Sequence, residues 1–100
     1  MIKLEEKYLS EVRNILSRHL DKNAEVYVFG SRVNGNHKQY SDLDISVNAG
    51  GLKMQSQLLT AIKADFDNSL IPVKVDIVDI NGISEEFKAI ILKKFERLYF

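Results

Sequence analysis

Hydrophobic positions recur along this chain in two rhythms, one helical and one strand-like. Between residues 2 and 20, Leu4, Tyr8, Val12, Ile15, Leu16 and Leu20 fall at helical spacing, and Asp21-Lys22-Asn23 supplies a stop, so a first helix is predicted there. Glu25-Val26-Tyr27-Val28-Phe29 is an apolar run of strand length. Leu43, Ile45 and Val47 then alternate with polar residues, which predicts a second strand over about 43–48. Gly50-Gly51 breaks the chain, and Leu58, Ile62 and Phe66 recur every four residues in a second long helix from Leu52 to about Asn68. A third strand is expected at 73–79, where Val73, Val75 and Ile77 alternate with Lys74 and Asp76, after Pro72 and before Asn81-Gly82. Ser84, followed by Glu85 and Glu86, suits the N-cap of a final helix with Phe87, Ile91 and Phe95 on one face.

Strands interleaved with helices indicate an α/β domain of the two-layer α+β kind, built on a small three-stranded sheet. The spacer between the first two strands is too short for a helical crossover, which favours antiparallel pairing between them. There is no internal repeat, low-complexity tract or linker, so residues 1–100 are expected to form a single domain.

Composition narrows the class further. A 45% hydrophobic content over 100 residues is enough for one core. Fourteen basic residues balance fourteen acidic ones, so no general nucleic-acid binding is expected. The absence of cysteine removes disulfides and thiolate metal sites. Met-Ile-Lys-Leu-Glu-Glu-Lys at the start is neither a signal peptide nor a membrane span, and a cytoplasmic protein without membrane attachment is expected.

The chemistry concentrates in Gly30-Ser31, ten residues, then Asp42-Leu43-Asp44. A period of two sends Asp42, Asp44 and Ser46 to the side of the strand opposite Leu43, Ile45 and Val47. Two carboxylates side by side repel, an arrangement that a hard divalent cation, Mg²⁺ or Mn²⁺, would relieve. Asp76 joins them if the second and third strands are neighbours, while Asp79, three residues on, points to the other face. Three carboxylates make two metal ions possible, one activating an attacking oxygen and one a leaving pyrophosphate. Gly30 permits close backbone approach and Ser31 offers a hydroxyl and an amide where a short helix can begin, which suits a triphosphate. Arg32 is a candidate for a charge-assisted bond to it. Gly35 lets the chain turn back toward Ser41 and Asp42.

Gly30-Ser31-Arg32, Gly35, Ser41-Asp42-Leu43-Asp44 and Asp76 together resemble the minimal nucleotidyltransferase (MNT) branch of the DNA polymerase β-like nucleotidyltransferase superfamily, over nearly the whole chain. The resemblance implies a mixed sheet and transfer of a nucleoside monophosphate from a nucleoside triphosphate to an acceptor hydroxyl. It also implies Asp42 and Asp44 as metal ligands, Asp76 as the carboxylate that helps activate the acceptor, and Gly30 and Ser31 as triphosphate contacts. No further domain of the kind with which larger relatives hold the acceptor is expected here, so the acceptor site is expected to be shared or supplied from elsewhere. The resemblance points to a HEPN-domain toxin whose tyrosine receives AMP from ATP, with this chain as antitoxin. The alternatives are an aminoglycoside-like small-molecule acceptor, with an oligomeric neighbour closing the site, and a noncatalytic partner-binding module.

Other polar residues near the motif have plainer expected roles. His37, Lys38 and Lys74 are read as solvated, with Lys74 also able to balance the carboxylates, and His19 as a cation at a helix C-terminus. Phe66, Phe87 and Phe95 are read as core, and Leu98, Tyr99 and Phe100 as residues to be buried against a neighbouring molecule.

Overall fold

The computed structural model describes residues 1–100 and runs α1 (Glu6–His19), β1 (Glu25–Phe29), α2 (Ser31–Asn34), β2 (Leu43–Asn48), α3 (Ser56–Asp67), β3 (Val75–Asp79), α4 (Glu85–Lys93) and β4 (Glu96–Leu98). The strands form one mixed sheet in the order β3-β2-β1-β4. β1 pairs antiparallel with both β2 and β4, and β2 pairs parallel with β3 through the α3 crossover. The short connection after β1 does impose antiparallel pairing.

Alternation along the strands assigns the two faces. Val26, Val28, Leu43, Ile45, Val47, Val75 and Ile77 are all buried and join Val12, Ile15 and Leu16 of α1 and Ile62 and Phe66 of α3 in the main core. Each large side chain taken fully from water there contributes about 1.5–3 kcal/mol before conformational entropy is counted. The opposite face carries Tyr27, Phe29, Asp44 and Asp76. Part of it is covered by α4, whose Phe87 meets Phe29 edge-on with ring centroids 5.9 Å apart. Ser84 caps that helix by accepting the Phe87 amide at 3.1 Å, a bond of about 1 kcal/mol.

The sheet has four strands where three are expected. β4 holds three residues and one buried apolar side chain, too few for a period of two to register, yet its backbone pairs with the free edge of β1 in the register Val26↔Leu98. This also corrects the expectation for Leu98: it is 3% exposed in the chain's own core, whereas Tyr99 is 70% exposed. The final helix likewise stops at Lys93, and Phe95 turns into β4 to stack on Tyr27 at 4.2 Å between centroids.

Both long helices begin later than their periodicity suggests. The Lys3 amide donates to the Arg32 carbonyl at 2.8 Å, and the Leu4 amide turns back to the Ile2 carbonyl at 3.1 Å, which keeps residues 2–4 out of the helix while Ile2 and Leu4 still pack on the core. Ahead of α3, Ala49 bridges to Leu52 around Gly50-Gly51, and the Met54 amide is tied to Asp79. His19 does more than face the helix dipole: its Nε2 lies 2.5 Å from an Asp65 carboxylate oxygen and joins α1 to α3.

Candidate active site

Strand register builds the site. Phe29 lies opposite Asp44 across the β1–β2 pair, and Asp44 lies opposite Asp76 across β2–β3, so the three side chains form one row on one face. Asp42, two residues before Asp44, keeps the same parity. Carboxylate oxygens of Asp42, Asp44 and Asp76 all lie within 4.8 Å of one another, each residue partly exposed. Asp79 is outside the cluster, as the parity of β3 requires.

Gly30 closes the cluster from the β1 side. Its backbone (φ 82°, ψ −157°) is one that side-chain-bearing residues rarely adopt. A Cβ at this position would run into the Asp44 carboxylate, with Asp44 Cγ at 3.2 Å. α2 begins at the next residue, Ser31, and ends at Asn34, capped by Gly35, whose amide returns to the Ser31 carbonyl at 3.0 Å.

The electrostatics of the row are unfavourable as it stands. Burial, then the charge of Asp76, then that of Asp42 push the Asp44 carboxyl up to about 6. Lys74, an exposed residue 3.4 Å from Asp76, is the one cation paired with the cluster. Three hard oxygen donors, partly open to solvent and mutually repelling, fit Mg²⁺ or Mn²⁺, and Asp42, Asp44 and Asp76 are the residues that would hold such an ion. The sequence profile of the nucleotidyltransferase domain matches residues 9–98, a span that includes every residue of this row.

The chain belongs to the nucleotidyltransferase domain family.

A relative from Haemophilus influenzae, named as a probable protein adenylyltransferase MntA, is 37% identical over 94 residues, covering 94% of this chain and 79% of that protein. Among solved structures, a toxin-antitoxin with AMP-PNP superposes with a TM-score of 0.75 at 23% identity, covering 96% of this chain and 73% of the other. A Shewanella oneidensis complex of a tri-AMPylated HEPN toxin with its MNT antitoxin superposes with a TM-score of 0.64 at 20% identity, covering 96% and 72%. The two structures share the fold, and the Haemophilus relative and the family profile carry the membership.

Arg32 of this nucleotidyltransferase sits elsewhere than a phosphate contact requires. It is 4% exposed, and its guanidinium donates to the carbonyls of Ser41 (2.9 Å), Lys3 (2.6 Å), Gln39 (3.0 Å) and Lys38 (3.4 Å). Arg32 therefore clamps the 36–41 loop that delivers Asp42 to β2, a positioning task that the arginine's fork of donors suits. Its place one residue after Ser31 resembles a ligand contact in sequence, and only the long-range carbonyls reveal the clamp. Ser46 was expected only to share the carboxylate side; it is 1% exposed there, with a hydroxyl that has no partner.

Asp79 shows the other fate of a strand carboxylate. It is 6% exposed and accepts the Met54 amide at 2.7 Å and the Asn81 amide at 3.0 Å. Asn81 in turn donates to Asn48 at 2.9 Å, and Asn48 accepts the Gly51 amide at 2.8 Å. This network fixes the turns at the far end of the sheet. No helix of the chain is long and apolar enough to cross a membrane.

Proposed function

We propose that this nucleotidyltransferase moves AMP from ATP to a hydroxyl on a partner protein, a tyrosine of a HEPN-domain toxin, and thereby acts as the antitoxin of the pair. The register that sets Asp44 opposite Asp76, with Asp42 beside them and Gly30 against Asp44, is the observation that carries this reading. The name of the Haemophilus influenzae relative supports protein adenylylation, and the toxin-antitoxin assemblies with AMP-PNP or an AMPylated HEPN toxin support the partner.

In this reaction the acceptor oxygen forms a bond to the α-phosphorus, the bond from that phosphorus to the pyrophosphate oxygen breaks, and the tyrosine proton passes to Asp76. Bound Mg²⁺, two ions in this reading, supplies charge neutralisation on the nucleotide. The chain's own part is positional: Asp42 and Asp44 fix the cation sites, Gly30 and Ser31 bring backbone and hydroxyl to the phosphates, and Arg32 keeps Asp42 in place.

Incubating the purified chain with ATP labelled at the α-phosphate, Mg²⁺ and the protein encoded by the adjacent gene, checked for a HEPN domain, tests the proposal. Label on a partner tyrosine, lost with Asp44→Asn, is expected. No label on the partner and no complex with it would overturn the reading, and label on an aminoglycoside hydroxyl without any protein partner would replace it with the small-molecule one.

A further inference from the structure

A cavity of about 430 Å³ opens beside the carboxylates, lined by Phe29, Gly30, Asn34, Ile90, Lys93 and Lys94. Gly30 belongs to its lining and also lies against Asp44, whose carboxylate a Cβ on Gly30 would meet. Lys93 ends α4 and Lys94 follows it, both exposed. Neither takes part in an ion pair within the chain. The short α4–β4 connection fixes them there, because β4 starts at Glu96 opposite Val28, two residues before Gly30.

A triphosphate laid against the Gly30 turn brings more negative charge than a cation at the carboxylates can neutralise, and its terminal phosphates need donors of their own. Arg32 is unsuitable, since its guanidinium is buried on loop carbonyls, and Lys74 is drawn to Asp76. We infer that Lys93 and Lys94 form the subsite for the terminal phosphates of the nucleoside triphosphate, in the cavity that shares Gly30 with the carboxylate row, and hold the pyrophosphate as it leaves. This inference rests on the nucleotidyltransferase reading above and adds to it the residues that distinguish a triphosphate from a monophosphate. Asn34, Phe29 and Ile90 complete the lining around the two lysines.

Calorimetric titration of the full chain with Mg²⁺–ATP and, separately, with AMP provides the test, using wild type, the double variant Lys93→Met with Lys94→Met, and the double variant Lys93→Arg with Lys94→Arg. Lys→Met keeps the length and apolar stem of the side chain and removes its charge, and thermal melting checks that the fold is intact. The inference predicts about a tenfold or greater loss of Mg²⁺–ATP affinity in the methionine variant, AMP affinity within about twofold of wild type, and recovery of ATP binding with arginine. Unchanged Mg²⁺–ATP affinity, or an equal loss for AMP and ATP, overturns it, the second outcome making the cavity a nucleoside site. A wild-type chain that binds no ATP would instead bring down the functional reading, and this subsite with it.

Discussion

The β2–β3 pair carries acidic groups at both ends, and the two ends are treated in opposite ways. At one end Asp79 is buried and each of its oxygens accepts a backbone amide. At the other, Asp44 is partly buried among Asp42 and Asp76, and the influences on its carboxyl are burial and like charge alone. A carboxylate saturated by backbone donors fixes turns; one left to its neighbours' repulsion is set up to take a cation. The same strand pair thus divides its acidic residues between one that holds the fold and a cluster that could hold a metal ion.

Substitution at each end should separate the two tasks. Asp44→Asn is expected to lower nucleotidyl transfer by about a thousandfold or more, as loss of a cation ligand in phosphoryl transfer does, while leaving the melting temperature equal or higher. Asp79→Ala should do the reverse: the buried Met54 amide loses its acceptor at a cost of about 1–3 kcal/mol, the part-buried Asn81 amide adds less, and the melting temperature falls by roughly 5–10 °C or more with activity per folded molecule kept. Equal stability losses at the two positions, measured by calorimetry, would erase the distinction.

Gly30→Ala should sharpen the comparison from the side of the turn. The new methyl must displace the Asp44 carboxylate and also occupy a positive-φ backbone, so transfer is expected to fall at least tenfold alongside a stability loss of about 1–2 kcal/mol. Arg32→Lys keeps the charge but not the fork that holds four carbonyls, and should release the 36–41 loop to limited proteolysis before the rest of the chain unfolds. Cleavage at wild-type rate would remove the clamp from the account.

The smallest effect expected is one of pH. With its carboxyl raised from 3.8 to about 6, Asp44 binds a proton more tightly in the folded chain than in the unfolded one. Its stabilising contribution is therefore complete at pH values below the ordinary carboxylate range and is lost as the pH rises through about 6. After allowing for partial exposure, the amount is about 1 kcal/mol. Without divalent cation, wild type should lose stability relative to Asp44→Asn between pH 4 and 7, and Mg²⁺ should restore it at pH 7 but not at pH 4. Parallel pH–stability curves for the two chains would contradict the sign.

Much of this layout is legible in the residues, for identifiable reasons. Each of the first three strands is long enough for alternation to fix its faces, and parity alone places Asp42, Asp44 and Asp76 together and Asp79 apart, given the neighbouring of β2 and β3. β4 escapes because Glu96, Arg97 and Leu98 take their conformation from the open edge of β1 rather than from a pattern of their own. The late starts of α1 and α3 depend on the Lys3 and Met54 amides finding partners about 25 to 30 positions away, which no local spacing encodes. Arg32 misleads for a related cause: a cation next to a glycine turn that suits a phosphate looks like a ligand contact until the loop carbonyls it holds are seen.

Electron paramagnetic resonance of Mn²⁺ added with ATP tests most directly whether Asp42, Asp44 and Asp76 hold a divalent cation together with a nucleoside triphosphate. Wild type should immobilise Mn²⁺ in a nucleotide-dependent way, with Asp44→Asn and Asp76→Asn each losing most of that signal while remaining folded. Immobilisation of Mn²⁺–ATP to the same extent by wild type and by both variants would contradict that role for the three carboxylates.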